Sequence, residues 1–229
     1  MGLNITSWDT EYSTECKKMI KSIIDEKITC DLVQRRVRMA FENVNDAFWH
    51  EAASSTGKYH PLYACGDAGL ARHTIAAAHF GERNCLAYNV DDLSRSVILA
   101  ALLLHDTCKR GVNFEEKYTV FEHPILVWKL LPDEINGSTW RVICQLIASH
   151  MGKWNKPSEQ DMKYGAERII KNFEDYRGAR YNNNMEFTYL PMPETPEAII
   201  VAMSDFTASD KDCMLTLFES QKGAWKGIR

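Results

Sequence analysis

With 229 residues, 45% of them apolar and 25% charged, the chain is long enough for one substantial core, or for one core carrying an inserted cap. Lysine and arginine number 27 against 31 aspartates and glutamates, a formal net charge of −4 that offers no basic field to duplex nucleic acid, so no duplex partner is expected. The longest apolar run, Val97 to Leu104, is too short to cross a bilayer, and the first residues lack the basic-then-apolar order of a secretory leader.

These features lead us to expect a cytoplasmic protein with no membrane partner. Met1-Gly2-Leu3-Asn4-Ile5-Thr6 fits the spelling of a myristoylation site, but no polybasic stretch follows it. The seven cysteines (16, 30, 65, 85, 108, 144 and 213) form no CxxC pair and read as reduced, mostly buried thiols.

Along the chain, helical periodicity dominates. It runs from Cys16 to Ile24, and again from about Cys30 to Phe48 with Val33, Val37, Ala40 and Val44 on one side. Residues 54–69, rich in Ser, Gly, Pro and Asp, read as a surface loop, in which His60 is expected to be exposed, with Lys58 near it. Either side chain of that pair could instead line the mouth of a site and donate a proton to a leaving group. Leu70 to Phe80 is helical and carries His73. Asp91-Asp92 caps a helix whose apolar body ends in Leu104-His105-Asp106, and Gly111 stops it.

Pro124 places His123 at a helix start, Trp140 to His150 forms a further helix, and Thr195-Pro196-Glu197 launches one that reaches Asp205. The polar segment 153–194 contains a possible helix, Asp161 to Asp175, and a possible strand, Met185 to Leu190. It separates two candidate ligands, so a cap or lid beside the site is expected there.

The chemistry lies in an ordered series: His73, His105-Asp106, His123, His150 and Asp205. Imidazoles and carboxylates hold hard or borderline divalent metals when several converge from different elements. Any one such histidine is more commonly a hydrogen-bonded, partly buried side chain; the ordered set changes that reading. Six donors are enough for two metals roughly 3.5–4 Å apart, with the carboxylate bridging, whereas one metal needs only about four. Lys109, three residues beyond Asp106, faces the same opening and suits a phosphate oxygen. Arg72, Arg110 and Lys153 flank ligands and could assist, and Trp154 could stack a nucleobase, although flanking charges are commonly solvated and tryptophans commonly structural. His50 and His79 belong to no pattern.

The same residues resemble the HD superfamily of metal-dependent phosphohydrolases over about residues 66–210. Gly69-Leu70-Ala71-Arg72-His73-Thr74 resembles GGLxxHT, and Leu103-Leu104-His105-Asp106-Thr107-Cys108-Lys109 resembles LLHDxxK. Glu122-His123-Pro124, Ala148-Ser149-His150-Met151-Gly152 and Met203-Ser204-Asp205 resemble the later motifs, with Met151 standing where the family often has a second histidine. The resemblance implies an all-α fold and assigns His73, His105, Asp106, His123, His150 and Asp205 as ligands, with Lys109 on phosphate. The two additional histidines are similar to those of a two-metal subclass. That subclass includes bis-nucleoside tetraphosphate hydrolases, cyclic-di-GMP phosphodiesterases and 3′–5′ exoribonucleases. The GYP signature of the second group is absent, and nothing before residue 66 reads as the nucleic-acid-binding barrel of the third.

The expectation is therefore a single all-α domain over residues 1–229, of about seven to nine helices. Its function is a phosphohydrolase (phosphodiesterase or nucleotidase) cleaving a nucleotide-type phosphoester or phosphoanhydride with a metal-bridging hydroxide, Asp106 and Lys109 being catalytic. Two divalent transition metals are expected, iron or manganese first, with cobalt, nickel, zinc or magnesium as alternatives. A small nucleotide is the expected partner, single-stranded RNA a lesser one. A regulatory nucleotide-sensing module and an exoribonuclease are the rival functions.

Overall fold

The computed structural model describes residues 3–54, 60–131, 137–179 and 189–211. These residues hold eight α-helices: α1 (Glu11–Lys27), α2 (Asp31–Glu42), α3 (Gly69–Ala87), α4 (Asp92–Leu104), the single turn α5 (His123–Leu126), α6 (Ser138–Ala148), α7 (Glu159–Ala179) and α8 (Pro196–Ser209). Tight 3₁₀ turns lie at Asp46–Trp49, Leu62–Ala64, Val127–Leu130 and Gly152–Trp154. No strand forms among the described residues, so the fold is all-α as expected; most of the possible strand at Met185 to Leu190 lies outside them.

Helix α4 is the axis of the core. Every residue from Ser96 to Leu104 is buried, which follows from a run that is apolar on all sides and so needs cover all round. Helices α3, α6 and α8 supply that cover, α3 lying against both α4 and α8. Gly81 lets α3 approach closely, since a β-carbon there would stand 2.1 Å from Leu102 Cδ1. The helix therefore continues past Phe80, where the apolar pattern thins, to Ala87.

Other ends follow side-chain capping. Asp91 Oδ1 accepts from the amides of Leu93 and Ser94, and Thr195 Oγ1 from Ala198. Helix α2 stops at Glu42, short of the expected Phe48, because Asn45 turns its side-chain oxygen onto the Ala47 amide and starts the next turn instead. No disulfide joins the described cysteines, and Cys213 lies outside them. No helix among the described residues is long and apolar enough to cross a membrane.

Two connections position the site. The 62–64 turn is bound to the start of α3: the Ala53 amide donates to the Ala64 carbonyl at 3.0 Å, and the Leu70 amide to the Glu51 carbonyl at 2.8 Å. Tyr63 Oη donates to the Ala208 carbonyl of α8 at 2.7 Å. The turn before α5 is held by α7, where Arg168 pairs with buried Glu122 at 2.6 Å and with Glu116 at 2.8 Å, and Phe173 stacks on Phe121. The first part of the expected cap, α7, is thus packed against the turn that carries His123.

The contact at Gly69 is the tightest of these, because a β-carbon there would stand 2.3 Å from the Ala64 carbonyl oxygen, a backbone atom. Gly69→Ala is expected to destabilise the fold by about 1–3 kcal/mol, the usual range for overpacking. Thermal unfolding checks this: a drop of roughly 2–4 °C per kcal/mol is expected at this chain length, and an unchanged midpoint would contradict the contact.

Candidate metal centre

Six side chains from five parts of the chain meet at one end of the bundle. His73 comes from the second turn of α3, His105 and Asp106 from the end of α4, His123 from the first position of α5, His150 from just beyond α6, and Asp205 from α8. Three of the imidazoles are aimed by the same device. The Nδ1–H groups of His105, His123 and His150 donate to the carbonyls of Leu102, Val120 and Ile147, each three residues back and each at 2.7 Å. Carbonyls at a helix end lack intrahelical partners. A histidine placed there satisfies one with Nδ1 and is left with Nε2 pointing outward. The hydrogen bond fixes tautomer and ring direction, as expected for ligand histidines.

The Nε2 atoms converge on two carboxylates. Asp205 Oδ1 lies 3.0 Å from His73 Nε2 and 3.3 Å from His105 Nε2. Asp106 faces both ways: Oδ2 lies 3.6 Å from His73 and 3.5 Å from His105, while Oδ1 lies 3.3 Å from His123. Lys109 Nζ donates to Asp106 Oδ2 at 2.5 Å. The His105 ring meets His150 edge-on at 5.0 Å, and His150 meets His123 at 5.3 Å. Three compact donor groups result: His73, His105 and Asp106; Asp106, His123 and His150; and His105, His150 and Asp205. The first two share Asp106 alone.

This donor set fits divalent metal. His123 Nε2 is buried with no hydrogen-bond partner, and the Nε2 atoms of His73 and His105 face one another at 3.2 Å, an approach that needs a cation or a proton between them. The electrostatics agree. Burial opposes charge on His105, but the Asp106 and Asp205 carboxylates outweigh it and raise the ring to about 8. Burial, helped by the charge on His105, pushes His150 down to about 3, and burial also lowers His73. Burial would raise Asp106, yet the Lys109 ammonium, His105 and His123 hold it well below the usual carboxylate range; His105 and His73 do the same for Asp205. With two anions and a protonated imidazole, the cluster stores charge that a divalent cation would take over.

The flanking residues divide. Lys109 is mostly covered and reaches the centre through Asp106. Arg72 is buried, with its guanidinium donating to the Cys65 carbonyl at 2.8 Å and lying 4.9 Å from the Tyr12 ring. Arg110 forms a two-pronged pair with Glu51 at 2.8 and 2.9 Å. Lys153 lies over the Trp154 ring at 4.6 Å. Trp154, 52% exposed, stacks on Phe206, 46% exposed and next in sequence to Asp205.

Of two further neighbours of the centre, Phe206 escapes the sequence and His60 takes the lesser of its two expected placements. Phe206 carries no signal beyond adjacency to Asp205. His60, expected to be exposed, is instead largely covered, with its ring edge-on to His73 at 5.0 Å. The physical reason is Pro61, which starts the anchored 62–64 turn and draws His60 inward; the His-Pro pairing that sets His123 at Pro124 was the available sign.

A family model of the HD domain matches residues 70–209, more than half of the chain. No curated protein and no solved structure matches it. The matched span opens three residues before His73 and closes four after Asp205, so it encloses all six converging donors, and the chain belongs to the HD domain family, a superfamily of metal-dependent phosphohydrolases.

Proposed function

We propose that the chain is a two-metal phosphohydrolase acting on a nucleotide-type phosphoester or phosphoanhydride. The two-sided carboxylate of Asp106 carries this reading. Its Oδ2 belongs with His73 and His105, its Oδ1 with His123, and the two donor groups it joins share no other residue. Asp106 Oδ1 faces His123 Nε2 and His150 completes that second donor group, two more donors than the four that a single metal on His73, His105, Asp106 and Asp205 needs. A bound pair of divalent ions supplies an activated water and neutralises the phosphoryl oxygens.

The chain's own residues do the rest. His73, His105 and Asp205 hold one side and His123 and His150 the other, with Asp106 between them. The ammonium of Lys109, which lies against Asp106 Oδ2, would face a phosphoryl oxygen and stabilise the charge that develops on it. The half-exposed Trp154–Phe206 pair, with Lys153 above it, supports a nucleobase beside the Asp205 side of the centre. Burial of the donors keeps bulk water out, which strengthens every charge interaction there.

Replacing the second group tests the scheme. His123→Ala and His150→Ala are each expected to lower bound metal from two ions per chain to one and to reduce turnover of a bis-aryl phosphodiester, or of a nucleotide found by screening, on the order of 10²–10³-fold. Elemental analysis and rate assays with added manganese check this. Full activity and full metal content in both variants would reject the two-metal scheme, and a metal-loaded wild type inert towards a nucleotide panel would favour a sensing module.

Metal uptake is expected to depend on pH through His105. The ligating form is deprotonated; below about pH 8 the ring holds a proton that the metal must displace. Apparent affinity should therefore fall by about tenfold per pH unit below that point if one proton is released. Metal titrations from about pH 6 to 9 check the slope; an affinity independent of pH across that window would show that no proton occupies the centre.

A further inference from the structure

We propose that His60 is a substrate-contacting residue of this centre, its imidazole hydrogen-bonding an oxygen of the bound phosphoryl group. The inference rests on the phosphohydrolase reading above and adds to it an anion contact outside the ligand set.

Three observations carry it. First, His60 is held in place. It precedes Pro61 and the 62–64 turn, which is fastened to the backbone of residue 53 and, through Tyr63, to the Ala208 carbonyl, one turn of α8 beyond Asp205. A β-carbon at Gly69 would already collide with this turn, so the turn packs directly against the start of α3. Second, the ring covers the centre. It meets His73 edge-on, at 86° between planes and 5.0 Å between centroids, and the charges that bear on it are Lys109, His73, Asp106 and Asp205, from the α4 end, α3 and α8. Third, its Nδ1 is shielded from solvent and has no hydrogen-bond partner among the described residues. A buried polar nitrogen left unpaired costs about 1–3 kcal/mol, so a site chosen for packing alone would favour an apolar ring.

His60 belongs to none of the three compact donor groups. A neutral imidazole carries one N–H to donate. His60 lies against His73 and Lys109 against Asp106, two residues of one donor group. A neutral donor and a cation converging on one oxyanion is the arrangement that stabilises developing negative charge.

The test compares His60→Phe, which keeps an aromatic ring, and His60→Gln, which keeps a donor. Metal content and the binding of inorganic phosphate to the metal-loaded protein are measured together, by elemental analysis and calorimetry. The expected result is full metal content in both variants, phosphate binding weakened about tenfold in His60→Phe, as for one lost hydrogen bond to a charged group, and partial recovery in His60→Gln. Wild-type phosphate binding by His60→Phe at full metal content would show that the ring only packs. Loss of a metal ion in both variants would make His60 a ligand. Either result overturns the inference and leaves the phosphohydrolase reading standing. A metal-loaded wild type that binds no phosphate and hydrolyses no phosphoester would remove that reading, and this one with it.

Discussion

The carboxylate of Asp106 is out of water, with imidazoles on both sides and an ammonium against one oxygen, and the rest of the structure makes that burial tolerable. An unpaired buried carboxylate is among the most destabilising groups a core can hold. Here Lys109 supplies a full charge from the turn that ends α4, and His105 a second one from the adjacent position. Asp205 repeats the arrangement with His73 and His105. Two anions so close together repel unless positive charge lies between them. The protein without metal meets that need with a lysine and a proton, which makes it a ready host for a divalent cation.

That electrostatic demand is met by a geometric device available wherever a helix ends. A histidine just past the last turn finds a carbonyl three residues behind it and lends it Nδ1–H, and its Nε2 then points away from the helix. His105 and His150 use this at the ends of α4 and α6, and His123 uses it in the tight turn before α5. Converging the ends of α4 and α6 with the start of α3 therefore converges their Nε2 atoms. The apolar helices and the polar centre are joined at α4, whose buried apolar run ends in the His-Asp pair.

This is why so much of the site was legible in the chain. His73, His105-Asp106, His123, His150 and Asp205 stand beside apolar helical stretches, where a polar ligand-forming side chain conflicts with its surroundings unless it has a function. Helix identity was legible for the same reason, since periodic apolar positions mark the buried faces. What escaped depends on contacts between distant segments. The extension of α3 to Ala87 needs Leu102 beside Gly81. The break in α2 needs Asn45 to prefer the Ala47 amide over helix continuation. His60 reads as a loop residue until the 62–64 turn is fixed to α3 and α8. The cations at Arg72 and Arg110 flank ligands in sequence, but in space their guanidinium groups are taken by the Cys65 carbonyl with Tyr12, and by Glu51.

The polar segment after Trp154 takes on a definite physical role at its first helix. Glu122 is fully buried and immediately precedes His123, and its Oε1 accepts from Arg168 at 2.6 Å and from Asn172 Nδ2 at 3.1 Å, both on α7. Arg168 also reaches Glu116 at the other end of the same loop, and Phe173 stacks against Phe121. The turn that aims His123 is thus clamped from α7 at residues 116, 121 and 122, whereas the His73 and His105 donors are set by the packing of α3 on α4. The two donor groups joined by Asp106 therefore rest on separate supports. The first is built into the core; in the second, His150 is set by α6, which packs on α4, while the turn of His123 hangs on a partly exposed ion pair whose strength is weakened by solvent. His123 is thus the donor whose setting depends on α7.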